Sequence, residues 1–138
     1  MRLGKDRKLE LIEGVPLFAR CSKRELAQVA AISDTVDLEA GRELIREGES
    51  GREFFVLLEG AVEIRRRGRK VRTLGPGEFF GEVALVSHVP RTATVRTSEP
   101  SRALVIRDRE FEARLEQMSA IALKVLGALA DRLAPESV

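Results

Sequence analysis

Along the chain the spacing of apolar residues changes twice, from a helical period to short alternating runs and back again. In the first part Leu9, Leu11 and Ile12 open a helical stretch that breaks at Gly14-Val15-Pro16. A second helix is signalled by Ser22-Lys23-Arg24-Glu25, a capping box in which the serine oxygen and the glutamate carboxylate satisfy orphan amides. Leu26, Val29 and Ala30 then fall on one face of that helix. From about residue 35 to residue 107 the pattern becomes short apolar pieces between glycine-bearing turns: 36–38, 44–45, 54–58, 61–64 and 71–74. After one interruption, strands resume at 92–96, with Ala93 and Val95 on one face, and at 103–106. Many short strands predict a sandwich or barrel. Helix then returns, with Asp108 as N-cap and Glu110 in the first turn. Met118, Ala122, Val125, Leu126, Leu129 and Leu133 recur at three- and four-residue steps until Pro135 stops the helix. The predicted order is one domain over 1–138: helices at about 5–32, a β-barrel at about 34–107 and helices at about 109–133.

Composition narrows the picture without naming a partner. With 138 residues, 43% hydrophobic and 33% charged, the chain is sized for one soluble core. It has no apolar run long enough to span a bilayer, and Met1-Arg2-Leu3-Gly4-Lys5 leads into mixed charge, so a cytoplasmic protein without membrane contact is expected. Cys21 is the single cysteine and His88 the single histidine, which excludes an internal disulfide and a zinc ligand set; no metal or other cofactor is expected, and Cys21 reads as structural. The 24 basic and 22 acidic residues nearly balance, so nucleic acid is not an expected partner. The densest basic run, Arg65-Arg66-Arg67-Gly68-Arg69-Lys70, reads as a solvated hairpin turn, the other reading being a contact with an acidic partner or nucleic acid. No aromatic residue interleaves there to stack on bases. Arg52 reads as a solvated loop charge.

The interruption in the β region is the chemically distinctive part. It runs Gly75-Pro76-Gly77-Glu78-Phe79-Phe80-Gly81-Glu82-Val83-Ala84-Leu85-Val86-Ser87-His88-Val89-Pro90-Arg91-Thr92-Ala93-Thr94-Val95. Gly81, lacking a side chain, permits close approach of a ligand, and 82–86 suits one short helical turn whose first amides favour an anion. Ten positions after Gly81, Arg91 stands before a strand, where its planar fork of donors can hold two oxygens of a phosphate. His88 is alone and reads as a loop residue, not a catalytic base. Phe79 and Phe80 read as barrel core.

This segment resembles the phosphate-binding cassette of the cyclic-nucleotide-binding domain family, found in catabolite activator protein and in the regulatory parts of cyclic-nucleotide-dependent protein kinases. The match rests on Gly81, Glu82, Ala84, Leu85, Pro90, Arg91, Thr92 and Ala93, without a gap. It extends to Gly48-Glu49-Ser50-Gly51, Phe54-Phe55-Val56-Leu57 and Glu59-Gly60-Ala61-Val62, which resemble the family's first barrel turns. The resemblance implies a jelly-roll β-barrel with an N-terminal helical bundle and two C-terminal helices, and a cassette over 81–95. It also implies that Arg91 pairs with the cyclic phosphate, that Gly81, Ala84 and Thr92 present backbone donors, and that Glu82 accepts from the ribose 2′-hydroxyl. Val83 and Ala93 complete the expected ligand-binding set. With neither tryptophan nor tyrosine, the chain lacks the usual aromatic lid over the base.

The expected function is a regulatory sensor, not an enzyme, that binds a small cyclic nucleotide and shifts its C-terminal helices. Thr92 leaves the base ambiguous; with no companion feature for guanine evident in the barrel, cyclic AMP is favoured, cyclic GMP being the alternative. An interaction domain that kept the cassette shape and lost its ligand is a further alternative. A DNA-binding regulator would need a further domain, since the chain ends five residues beyond Leu133. A homodimer through the last helix, or an effector protein, remains open as partner.

Overall fold

The computed structural model describes residues 5–81 and 89–133. Helix α1 (Lys5–Glu13), a 3-10 turn (Pro16–Phe18) and helix α2 (Lys23–Ile32) come first. The predicted capping box is present: Ser22 Oγ accepts from the Glu25 amide at 3.2 Å, and Glu25 Oε1 accepts from the Ser22 amide at 2.9 Å. Lys8 Nζ donates to the carbonyls of Ala30 and Ser33, at 2.9 and 2.7 Å, and so ties α1 to the end of α2.

Eight strands follow: β1 (Ser33–Leu38), β2 (Glu43–Ile45), β3 (Glu53–Glu59), β4 (Val62–Arg66), β5 (Arg69–Leu74), β6 (Phe79–Phe80), β7 (Thr94–Thr97) and β8 (Ser101–Arg107). They form two antiparallel four-stranded sheets, ordered β1-β8-β3-β6 and β2-β7-β4-β5. This is the jelly-roll class expected, with one difference: the sheets face each other without closing into a continuous hydrogen-bonded barrel. Among the described residues the edge strands β6 and β2, two and three residues long, pair only within their own sheets.

The uninterrupted apolar run in β3 has a simple cause, because the sheet carrying it is covered on both faces. Phe55 and Leu57 point between the sheets, with Leu38, Val62, Leu74, Val95 and Val105. Phe54, Val56 and Leu58 point the other way, into a second core shared with Ile12, Phe18, Val29 and Ile121 of the helices. The hairpin between β4 and β5 turns through Arg67 (φ +52°) and Gly68 (φ +77°), the positive-φ pair of a two-residue turn that matches strand twist.

Helices α3 (Asp108–Ala113) and α4 (Leu115–Leu133) close the order. Three expectations need correction here. Asp108 is the first helical residue rather than the N-cap, and it is buried; Arg107 occupies the cap. Arg52 is not merely a solvated charge, for its Nη1 lies 3.5 Å from Asp108 Oδ2, and its carbonyl accepts from the Asp108 amide at 2.8 Å. On α4 the face that packs on the core is Ile121, Val125 and Leu129, whereas Leu126 is exposed, as is Leu123. Among the described residues no helix is long and apolar enough to cross a membrane.

Candidate functional site

The site is built where the turn after β2 meets the segment before β7. The Gly48 amide donates to the Arg91 carbonyl at 2.8 Å, and the Arg91 amide donates to the Glu49 carbonyl at 2.9 Å, so the backbone of Arg91 is pinned on both sides. Its side chain then crosses Gly51, occupying the space where a Cβ at that position would be. Two carbonyls fix the guanidinium: Nη2 donates to Glu53 O at 2.8 Å and Nη1 to Gly81 O at 3.2 Å. These contacts engage one N–H of each Nη nitrogen and set the plane of the fork. Gly81 itself has φ +80°, and a Cβ there would lie 2.8 Å from the Glu53 carbonyl and 3.0 Å from Arg91 Nη1. Only glycine satisfies both the backbone angle and the contact.

Arg91 stands in a cleft of about 270 Å³. Its walls are largely apolar, from Ile45, Ile64, Phe80, Val89, Ala93 and Val95, with Thr92 exposed at the rim. In a partly apolar cleft an anion is attracted to such a guanidinium more strongly than it would be in water. The planar fork suits a group offering two oxygens side by side, as phosphate does. The cationic end and the apolar wall together fit a ligand with an anionic group and a flat apolar body.

Of the residues expected from the sequence, Gly81, Arg91, Thr92 and Ala93 are brought together in this cleft. Glu82, Val83 and Ala84, with Leu85 and His88, lie outside the described residues. Phe80 is buried and stacks on Phe55 with centroids 5.0 Å apart, as a core residue should. Phe79 meets Phe54 edge-on at 6.0 Å and also lines a second, apolar cavity beneath α4, with Phe111, Val125 and Leu129. The sequence reading did not assign Gly51, the Glu53 carbonyl, Ile45, Ile64 or Arg66 to the site. The basic run is the exposed hairpin turn expected from the sequence, with Arg65 and Lys70 pairing with Glu63 at 3.4 and 3.9 Å; at its start Arg66, itself exposed, also borders the cleft. Alternation along β4 was the available signal, since Val62, Ile64 and Arg66 share one face.

Away from the cleft, Glu25 joins α2 to α4 by an ion pair with Lys124. That hydrogen bond, with the capping contacts to Ser22, holds the Glu25 carboxyl below its ordinary range. Burial, then the nearby Glu25 charge, pushes the Cys21 thiol up, which accords with a structural cysteine. Among the described residues no three His, Cys, Asp or Glu side chains are grouped as a metal ion would require.

Comparison with known proteins bears on this geometry. The model of the cyclic nucleotide-binding domain matches residues 35–118. A cAMP-dependent protein kinase regulatory subunit from Mycosarcoma maydis is 33% identical over 116 residues, covering 78% of this chain and 22% of that protein. A cGMP-dependent protein kinase from Caenorhabditis briggsae is 31% identical over 123 residues, covering 83% of this chain and 16% of that protein. The chain thus spans less than a quarter of either relative. Among solved structures, the Thermus thermophilus catabolite activator protein superposes with a TM-score of 0.75 at 25% identity, over 88% of this chain and 59% of that one.

Proposed function

Because the chain belongs to the cyclic nucleotide-binding domain family, we propose that it binds a cyclic mononucleotide in the Arg91 cleft and signals through α4. The observation that carries the reading is the fixed guanidinium: Arg91 lies across Gly51, held by the carbonyls of Glu53 and Gly81, at the end of an apolar wall. In this reading Arg91 faces the cyclic phosphate, and Gly81, Ala84 and Thr92 supply backbone donors. Glu82 meets the ribose 2′-hydroxyl, where a carboxylate is an acceptor and not a repelling charge. Val83 and Ala93 flank the ligand. Cyclic AMP is the ligand favoured by the sequence, with cyclic GMP as its competitor; since relatives named for either match about equally, the choice falls to side chains in the cleft.

Phe79 supplies the route from cleft to helix. It lines the nucleotide cleft and also the apolar cavity against which Val125 and Leu129 of α4 pack, so a ligand that moves β6 repacks that cavity. For occupancy to signal, the ligand must bind the two α4 positions with different affinity.

Calorimetric titration of the parent chain with cyclic AMP, cyclic GMP and 5′-AMP tests the proposal, with Arg91→Ala alongside. A charge-assisted hydrogen bond is worth about 1.5–3 kcal/mol, so Arg91→Ala should lose roughly ten- to a hundredfold in affinity for the cyclic nucleotides, and Arg91→Lys should recover only part. Equal affinity of parent and Arg91→Ala would remove the phosphate site.

A further inference from the structure

The hairpin joining β4 to β5 departs from local preference at three neighbouring points. Its two-residue turn holds Arg67 at φ +52°, the one non-glycine with a positive φ among the described residues, where asparagine, aspartate or glycine is the unstrained choice. Flanking the turn, Arg66 faces Arg69 across the strands, and one step down Arg65 faces Lys70. Like charges directly opposite each other destabilise a strand pair. The register then slips between Ile64 and Arg65, which leaves Val71 of β5 without a cross-strand partner and 52% exposed.

Neutralisation is confined to the base of this hairpin. Glu63 serves Arg65 and Lys70 at 3.4 and 3.9 Å, and Glu78 serves Arg72 at 2.8 Å. Glu47 reaches the tip, where it accepts from the Arg67 backbone amide at 3.0 Å. Among the described residues no acceptor takes the side chains of Arg66, Arg67 or Arg69. Strain and unrelieved like-charge pairs at one tip set local preference against the fold, and such conflicts concentrate where a surface has a task.

We infer that this tip docks a carboxylate-rich segment of a partner protein. Carboxylates laid among Arg66, Arg67 and Arg69 turn their mutual repulsion into attraction, each guanidinium taking a carboxylate through two parallel N–H groups. Val71, beside them on β5, offers the same segment an apolar contact. Other polyanions fit less well. No aromatic side chain lies within 62–74 to stack on bases. Attraction to an anionic bilayer takes about four to eight basic residues, more than the three left unpaired here. Strand addition along β5, the edge of its sheet, is opposed by the bulge and the cations there, so the segment binds through side chains at the tip. This surface does not depend on the nucleotide reading.

The test is fluorescence anisotropy of a short labelled oligoglutamate, alongside oligoglutamine of equal length, oligothymidylate, and phosphatidylcholine vesicles containing phosphatidylserine. The chains are the parent, Arg67→Asn/Arg69→Gln, and Lys23→Gln/Arg24→Gln, which removes the same charge from exposed positions on α2. Arg66 stays in place because it borders the cleft. The parent should bind oligoglutamate and not oligoglutamine, losing affinity as salt is raised. Arg67→Asn/Arg69→Gln should bind oligoglutamate about tenfold more weakly, yet melt about 2–4 °C higher because it relieves the turn and one like-charge pair. Lys23→Gln/Arg24→Gln should stay within about twofold of the parent. Equal loss in both variants assigns the attraction to net charge and overturns the inference. So does a melting temperature that Arg67→Asn/Arg69→Gln fails to raise, because the tip would then hold no conflict to explain. A parent that prefers the vesicles or oligothymidylate to oligoglutamate, or that binds none of them, overturns it as well.

Discussion

A glycine at position 51 is required because the Arg91 guanidinium lies where its Cβ would stand, although its φ is outside the left-handed region. The atoms that would be struck are the far end of a flexible side chain, so Gly51→Ala can relieve the clash by displacing Arg91 from its two carbonyls. Folding stability should change by less than about 1 kcal/mol, since alanine at a compatible φ also reduces the entropy of the unfolded chain. Affinity for cyclic nucleotide should fall about tenfold or more, as expected when a charge-assisted contact is misplaced. Parallel melts and titrations separate the two effects; unaltered affinity would mean that Arg91 does not need this seat. Gly81 and Arg91 are legible in the sequence because they stand at fixed spacing in a recognisable segment. Gly51 is legible only as a turn residue, its role appearing when the side chain crossing it comes from 40 positions away. Arg66 is hidden differently: inside a run of five cations, charge obscures the two-residue period that sets it on the Ile64 face of β4, at the border of the cleft.

At the scale of elements, the run Phe54-Phe55-Val56-Leu57-Leu58 reads as a strand, but its division between two cores depends on helices that cover the outer face. The apolar period of α4 predicts the helix and not its buried face; Leu126 fits the period, yet Ile121, Val125 and Leu129 are what the second core accepts. A polar contact also fixes α4. Glu25 serves the capping box at the start of α2 and the ion pair to Lys124, which together hold its carboxyl low. A carboxyl with a depressed folded-state pKa adds stability above its unfolded pKa and loses that contribution as pH falls through the folded value. Glu25→Gln keeps an acceptor for the cap and removes the charge facing Lys124. The parent should be the more stable at neutral pH, and the difference should shrink as pH falls below about 4. Denaturant melts of both chains across that range measure it, and a constant difference would show that the ion pair contributes nothing.

For the molecule as a whole, Phe79 of β6 lines both the Arg91 cleft and the cavity beneath α4. The helix–strand–helix order is legible in the sequence because each class of element has its own period. The split into two open sheets is not, because strand pairing is set by long-range register, as between β1 and β8, which join positions 33–38 to 101–106. A ligand gripped by Arg91, which is pinned to residues 48 and 49 and bonded to Glu53 and Gly81, crosslinks the turn after β2 to β3 and the end of β6. Such a ligand binds only when these segments are assembled, so it stabilises the folded chain by mass action. At a hundredfold excess over Kd the gain is about 2.7 kcal/mol, which for a domain of this size corresponds to a rise in Tm of roughly 8–14 °C. In Arg91→Ala, with affinity lowered about a hundredfold, the same concentration is near Kd and the gain drops to about 0.4 kcal/mol, a shift of roughly 1–2 °C. Scanning calorimetry of both chains with and without cyclic nucleotide tests this. Equal shifts in the two would place the stabilising ligand outside the Arg91 cleft.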